Sequence, residues 1–124
     1  DYLHLFPSPI NTLPNLSRIL DINLRIKRDD LLAVSGGGNK YRKLIRIFED
    51  ADRKGCNALV TTGGLQSNHA RVTALLSAQK GRRCKLILHG NQTDMESPVG
   101  NMLLMRLVNA EICVGAPEAI ASEM

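Results

Sequence analysis

Residues 58–71, ALVTTGGLQSNHAR, decide the fold class of this chain. The first five residues form an apolar run that ends in threonines, a pattern typical of a buried strand. Gly63 and Gly64 break this run, and polar residues then open an Ala-rich helix predicted over 67–80. A strand that passes directly into a helix is the first half of a βαβ unit.

The same strand-then-helix pattern recurs on either side of this stretch. Strand patterns are centred on Leu59, Leu86 and Ile112, at near-equal intervals. Helices are predicted over 39–54, 67–80, 98–109 and 117–124. This alternation predicts an α/β fold, a parallel sheet with helices on both faces. Ligands of such sheets bind beyond the carboxyl ends of the strands, which is where residues 63–69 fall.

Composition excludes several classes of function. The 124 residues suit one domain, and 44% are hydrophobic but only 3% aromatic, so the core must be aliphatic. The 16 Lys and Arg exceed the 12 Asp and Glu by only four and are scattered, which argues against a nucleic-acid partner. Apolar runs are too short for a membrane span of about 20 residues. Three cysteines without a C-x-x-C pair indicate neither a disulfide framework nor a metal site, and favour a reducing, cytoplasmic location.

A second glycine-rich segment, SGGGNKYRK at residues 35–43, places Lys40 at the start of the helix predicted over 39–54. That helix has an apolar stripe at helical spacing. The stripe consists of Leu44, Ile47, Phe48 and Ala51. Extended back by one turn it reaches Lys40, with Lys43 close to the same side. Burial and the positive helix N-terminus both disfavour a charged ammonium there, and a neutral amine can form a Schiff base. A lysine that only packs its stem at the helix start is the alternative.

Four consecutive polar residues, Gln66 to His69, open the helix predicted over 67–80. Backbone N–H groups at a helix N-terminus suit a carboxylate or phosphate. One of Ser67 and Asn68 is expected to be the N-cap, but four polar side chains exceed what capping needs. A nucleotide-binding P-loop is disfavoured, because Tyr41 follows Lys40 where that motif requires Ser or Thr.

Three segments together resemble the 1-aminocyclopropane-1-carboxylate deaminase / D-cysteine desulfhydrase family. They are IKRDD at 26–30, GGNKYRK at 37–43 and TGGLQSNHAR at 62–71, in the family's order and spacing. Members are fold-type II enzymes that use pyridoxal 5′-phosphate (PLP) and are related to the tryptophan synthase β subunit. The resemblance covers nearly the whole chain.

This resemblance implies roles for the polar residues of both loops. Lys40 would hold PLP as a Schiff base and move the substrate's α-proton. Lys43 would lie near the cofactor phosphate, and Asn68 would hydrogen-bond the ring hydroxyl and face the substrate.

At the substrate side of the site, the resemblance implies that Ser67 contacts the carboxylate and is a candidate catalytic nucleophile or base. Gln66 and His69 would line the carboxylate end. His69 favours the desulfhydrase side of the family, because the deaminases tend to carry Gln there.

The implied activity is PLP-dependent β-elimination and deamination of a small amino acid, as in D-cysteine desulfhydrase, giving a keto acid and ammonia. The alternatives are 1-aminocyclopropane-1-carboxylate deaminase, and an inactive fragment or non-catalytic PLP-binding module.

The resemblance also implies a domain division and an assembly. Residues 1–38 would be a leading segment of the family's large domain, and 39–124 a small α/β domain truncated at its C-terminal end. The chain lacks an initiator Met and stops inside a predicted helix, so we expect part of a longer protein, homodimeric at full length.

Overall fold

A computed structural model describes residues 7–32 and 36–115 of the chain. Within these ranges the strands are β1 (Ile10–Thr12), β2 (Arg25–Lys27), β3 (Ala58–Gly64), β4 (Arg83–His89) and β5 (Glu111–Gly115). The α-helices there are α1 (Pro14–Leu20), α2 (Lys40–Arg53), α3 (Asn68–Gln79) and α4 (Gly100–Leu107). The helix predicted over 117–124 lies outside the described residues.

A parallel sheet in the order β3-β4-β5 forms the centre of the fold. Leu59 lies beside Cys84, and Leu86 lies beside Ile112, so the three predicted strands pair directly. Each strand passes through a helix to the next, a connection that produces parallel neighbours. The prediction of an α/β fold built on a parallel sheet is confirmed.

One face of this sheet is covered by α3 and α4. Apolar side chains of α3 and α4 pack there on alternate residues of β4 and β5. The buried members of this cluster are Ala70, Ala74, Cys84, Leu86, Leu88, Met102 and Met105. On the opposite face Val60 is 59% exposed. Ile87 of β4 on the same face is only 2% exposed. The presence of helices on that second face stays a prediction.

Helix α2 packs against α3 through a second apolar cluster. Leu44, Ile45 and Phe48 are each at most 2% exposed and contact the α3 residues of this cluster. The expectation that Ile47 belongs to the buried stripe is wrong, because Ile47 is 41% exposed and Ile45 takes its place. The buried residues at positions 41, 44, 45 and 48 lie on one face of the helix. Lys40 therefore lies at the edge of this face and is half-buried.

The segment before α2 forms a small unit in which β1 and β2 pair in antiparallel fashion. Arg42 of α2 holds this unit by a two-pronged contact, in which Nε and Nη2 each donate to Asp29 over 2.7 Å. The Ser8 hydroxyl donates to the same carboxylate over 2.5 Å. Hydrogen bonds from Arg42 and Ser8 hold the pKa of Asp29 well below its ordinary range. The division at residue 38 stays a prediction.

Two further expectations concern the ends of helices and the cysteines. The third helix was expected to begin at Pro98, but α4 begins at Gly100, and Val99 at the N-cap provides no side-chain cap. Cys56, Cys84 and Cys113 are free thiols, and burial raises the pKa of Cys84. Among the described residues, no helix is both long enough and apolar enough to span a membrane.

Candidate active site

Lys40 begins α2 directly after a glycine loop whose backbone is left-handed. Gly36, Gly37 and Gly38 have φ angles of 75°, 75° and 96°, which side-chain-bearing residues rarely adopt. A Cβ atom on Gly37 would lie 2.7 Å from the carbonyl oxygen of Asp30. The glycines thus allow the chain to turn tightly and present Lys40 at the first turn of the helix.

Arg71 of α3 joins this glycine loop to the second polar segment. Its Nη1 donates to the carbonyl oxygen of Gly36 over 2.8 Å, and its Nη2 to that of Gly37 over 3.0 Å. The side chain is only 9% exposed. A buried guanidinium is costly unless it is hydrogen-bonded, so these two carbonyls are its anchoring partners. Arg71 was not predicted to have a role in the site, although a charged residue inside a buried helical stretch indicates a buried polar contact.

His69 lies in the first turn of α3, the helix that Arg71 joins to the glycine loop. Burial lowers the pKa of its imidazole, and the positive charges of Lys43 and Lys40 lower it further. Lys40 and His69 are half-buried, and Lys43 is exposed.

Ser67 is the N-cap residue of α3. Its hydroxyl oxygen accepts a hydrogen bond from the backbone N–H of Ala70 over 3.2 Å, in the geometry expected for a cap. The expectation that Ser67 or Asn68 caps this helix is confirmed for Ser67. The hydroxyl hydrogen remains available to donate toward the space in front of the helix.

Gln66 bridges the β3–α3 connection to the start of α4. Its Nε2 donates to the carbonyl oxygen of Val99 over 3.0 Å, and its Oε1 accepts from the backbone N–H of Asn101 over 2.8 Å. Both ends of the side-chain amide therefore bind the protein itself. The contact of Gln66 with a substrate carboxylate stays a prediction.

Asn68 is exposed at the first position of α3, and Asn101 of α4 holds one end of its amide. The Nδ2 of Asn101 donates to Asn68 Oδ1 over 3.1 Å and to the backbone oxygen of Gln66 over 2.8 Å. Sequence reasoning did not single out Asn101, because nothing local marks an asparagine at the start of a helix as the partner of a loop 33 positions earlier.

A cleft of about 360 Å³ opens beside Gln66, near the carboxyl ends of the parallel strands. Ligands bind at this end of open α/β sheets. The cleft is lined by Leu65, Gln66, Thr93, Ser97, Val99 and Met102. Its mixed apolar and polar wall provides room for a small molecule next to the polar helix start.

The comparisons with known proteins agree with this geometry. The family model described as pyridoxal-phosphate dependent enzyme matches residues 2–122, so the chain belongs to that family. A Thermotoga maritima protein provisionally named 1-aminocyclopropane-1-carboxylate deaminase is 42% identical over 94% of this chain and 36% of its own length. The D-cysteine desulfhydrase of Salmonella paratyphi B is 41% identical over 86% of this chain and 33% of its own length.

A solved structure supports the same relationship. The chain is similar to a crystal structure of a homologue of 1-aminocyclopropane-1-carboxylate (ACC) deaminase, with a TM-score of 0.78 and 40% sequence identity. That match covers 89% of this chain and 33% of the other. The chain thus spans about a third of the length of the relatives it matches, and the expected fold-type II relationship is confirmed.

The donors at the two loops fit PLP. A half-buried primary amine, Lys40, stands at the first turn of α2, with the second ammonium of Lys43 nearby. Asn68 contributes an amide at the start of α3, beside the capping hydroxyl of Ser67. An amine for an aldehyde, a cation for a phosphate and an amide donor for a ring oxygen are the groups that this cofactor requires.

Proposed function

We propose that the protein is a PLP-dependent enzyme that removes a β-substituent and the amino group from a small amino acid, with D-cysteine as the substrate class. The observation that carries this proposal is the convergence of two segments. Arg71 of α3 donates hydrogen bonds to the carbonyl oxygens of Gly36 and Gly37, so the glycine loop that precedes Lys40 lies against the helix that the polar segment opens.

PLP, when bound, supplies an electrophilic aldehyde and a ring that accepts the electrons released at the substrate's α-carbon. The residues of this chain bind, orient and move a proton. Lys40 Nζ would provide the amine that holds the aldehyde. Once the substrate's own amine takes that place, the freed Lys40 nitrogen would accept the α-proton of the substrate. Lys43 provides a positive charge for the phosphate, although its exposure makes this a solvent-screened contact.

The start of α3 is the proposed substrate side. The Ser67 hydroxyl donates to the substrate carboxylate while its oxygen stays bound to the N–H of Ala70. His69 is held toward its neutral form by burial and by the two lysines, so it offers a neutral donor and acceptor rather than a fixed charge. Asn68 donates to the ring hydroxyl of PLP.

Deamination of 1-aminocyclopropane-1-carboxylate is the second candidate. The name of the Thermotoga relative and the description of the solved structure favour it. His69 favours the desulfhydrase, because the deaminases tend to carry Gln at this position. An inactive fragment or non-catalytic PLP-binding module is the third reading. We further propose a cytoplasmic location, since the three free cysteines suit a reducing compartment. A homodimer at full length is the assembly that the family resemblance implies, and it stays a proposal.

A substrate assay on the full-length protein tests the proposal. We expect sulfide and ammonia release from D-cysteine in the presence of PLP, and little ammonia from 1-aminocyclopropane-1-carboxylate. Lys40→Ala should abolish release, whereas the matched change Lys43→Ala should weaken PLP binding and leave measurable turnover at saturating PLP. Ammonia from the cyclopropane substrate alone would select the deaminase. Inactivity on both substrates, with PLP bound, would support the non-catalytic module.

A further inference from the structure

We propose that Asn101 is a positioning residue that fixes the orientation of the Asn68 amide, so that the NH₂ group of Asn68 faces the cofactor. This inference rests on the proposed function, in which Asn68 donates to the ring hydroxyl of PLP. It adds a residue from a different helix, α4, to the set that determines how the cofactor is held.

A ring of hydrogen bonds connects the β3–α3 segment to the start of α4. The backbone N–H of Asn101 donates to Gln66 Oε1 over 2.8 Å, and Gln66 Nε2 donates to Val99 O over 3.0 Å. The Asn101 side chain returns to the same segment, where its Nδ2 donates to Gln66 O and to Asn68 Oδ1. Both hydrogens of the Asn101 NH₂ group have an oxygen acceptor.

The polarity of this network follows from one atom that cannot change its role. The backbone oxygen of Gln66 can only accept, so the end of Asn101 that faces it must be the NH₂ group. The same NH₂ group lies 3.1 Å from the Asn68 amide, so the Asn68 atom facing it must be the acceptor, Oδ1. The donor, Nδ2 of Asn68, is therefore directed away from Asn101 and stays available for an acceptor on a ligand.

Packing alone does not impose this orientation on Asn68. The side chain is exposed, and the terminal torsion of an asparagine is broad and roughly two-fold. Without Asn101, the amide can present either its oxygen or its nitrogen to a ligand. The ionised ring oxygen of PLP can only accept, so an amide oxygen facing it would replace a hydrogen bond by a repulsion between two acceptors.

Gly100 and Gln66 allow Asn101 to occupy this place. Gly100 has a φ angle of 57°, and a Cβ on it would lie 2.6 Å from Gln66 Oε1. Val99 offers no side-chain cap, so the amide of Gln66 takes the place of the missing cap by binding the N–H of Asn101. The start of α4 is thus fixed to the loop that carries Asn68.

The test compares the affinity of the full-length apo-protein for two ligands, PLP and its 3-deoxy analogue, which lacks the ring hydroxyl. Affinities are measured by fluorescence titration for the unchanged protein, Asn101→Ala, Asn68→Ala and the double variant. We expect Asn101→Ala to weaken PLP binding roughly 3- to 10-fold, the worth of one hydrogen bond, and to leave the analogue's affinity unchanged. In the Asn68→Ala background, the added Asn101→Ala change should alter neither the affinity for PLP nor the affinity for the analogue.

Other outcomes overturn the proposal. Equal weakening of both ligands by Asn101→Ala, or a further loss of PLP affinity in the Asn68→Ala background, would mean that Asn101 acts on the structure in general. Equal weakening of both ligands by Asn68→Ala would show that Asn68 does not bind the ring hydroxyl, which would refute the proposal. The proposed function is tested separately, by turnover of D-cysteine and its dependence on Lys40.

Two further variants keep the test decisive. Asn101→Asp retains the size of the side chain and the backbone contact to Gln66, but replaces the NH₂ donor by an acceptor. Its negative charge should weaken both phosphate-bearing ligands alike, so the orientation of Asn68 is reported by the additional loss for PLP over its analogue, even if Asn101→Ala folds poorly. Asn57→Ala, an exposed asparagine before the amino end of β3 and away from the site, is the matched control and should leave both affinities unchanged.

Discussion

Replacing Arg71 by Met tests the link between the two loops. Met keeps much of the apolar stem but removes the guanidinium donors to Gly36 and Gly37. Gly36 is exposed, so water can bind its freed carbonyl, whereas Gly37 is buried. One buried carbonyl left without a partner costs about 1–3 kcal/mol, so we expect the free energy of unfolding to fall by roughly 2 kcal/mol. Urea denaturation of the full-length apo-protein measures this.

The same change should also weaken PLP binding, because Lys40 follows the glycine loop by only two residues. Arg71→Lys should recover part of both losses, since a single ammonium cannot match the fork of the guanidinium. Arg83→Met, at an exposed position at the start of β4, is the matched control and should alter neither stability nor PLP affinity. A loss of less than about 0.5 kcal/mol in Arg71→Met, with unchanged PLP affinity, would refute the anchoring role.

Three further predictions concern titratable groups. Folding lowers the pKa of His69, so the unfolded chain binds the imidazole proton more tightly than the folded protein does. The free energy of unfolding should therefore fall as the pH drops below about 6.5. His69→Gln should flatten this part of the plot of urea midpoint against pH. Folding also lowers the pKa of Asp29, so the contribution of this carboxylate to stability is present above about pH 4 and is lost as the pH falls further. Asp29→Asn should lower the urea midpoint at pH 7 and make the midpoint less sensitive to acid below pH 4. Mass spectrometry after iodoacetamide at pH 8 should find exposed Cys56 labelled in the folded protein and buried Cys84 only after unfolding, whereas equal labelling of both would contradict the packing of β4.

The strand-helix units could be predicted because their signals are local. The apolar run ending at Gly63 and Gly64 marks both the end of β3 and the turn into α3. The expectation that this strand is buried is wrong, because β3 is an edge strand of the described sheet and its residues are exposed or half-buried. The strands at Leu86 and Ile112 have the same signal, and all three pair as expected. A strand needs only its own apolar residues and a breaker at its end, so the sequence alone locates it, whereas the burial of the strand depends on the elements that pack on it.

Details of α2 and α4 depended on packing between elements. Ile47 fits the helical spacing of a buried stripe as well as Ile45 does, and only the placement of α3 decides that Ile45 is covered. The start of α4 at Gly100 follows from the Gln66 amide, which binds the helix from another segment. The preference of proline for the first turn of a helix, which placed the predicted start at Pro98, takes no account of such a contact.

Two site residues were not predictable because their contacts are long-range. Arg71 binds carbonyls 34 and 35 positions earlier, and Asn101 binds a loop 33 to 35 positions earlier. Sequence patterns report which face of an element is buried, but not which side chain meets which loop. Local motifs mark Lys40 and Ser67 directly, and their roles in the site stay predictions. The residues that hold these motifs in place, Arg71 and Asn101, carry no such local mark.

Trapping of the lysine that binds PLP tests the central claim most directly. The full-length protein is incubated with PLP, reduced with borohydride and digested, and the modified peptide is identified by mass spectrometry. We predict the label on Lys40, with none on the exposed Lys43 and loss of the label in Lys40→Ala. A label on any other lysine, or unchanged labelling in Lys40→Ala, would contradict the assignment of Lys40.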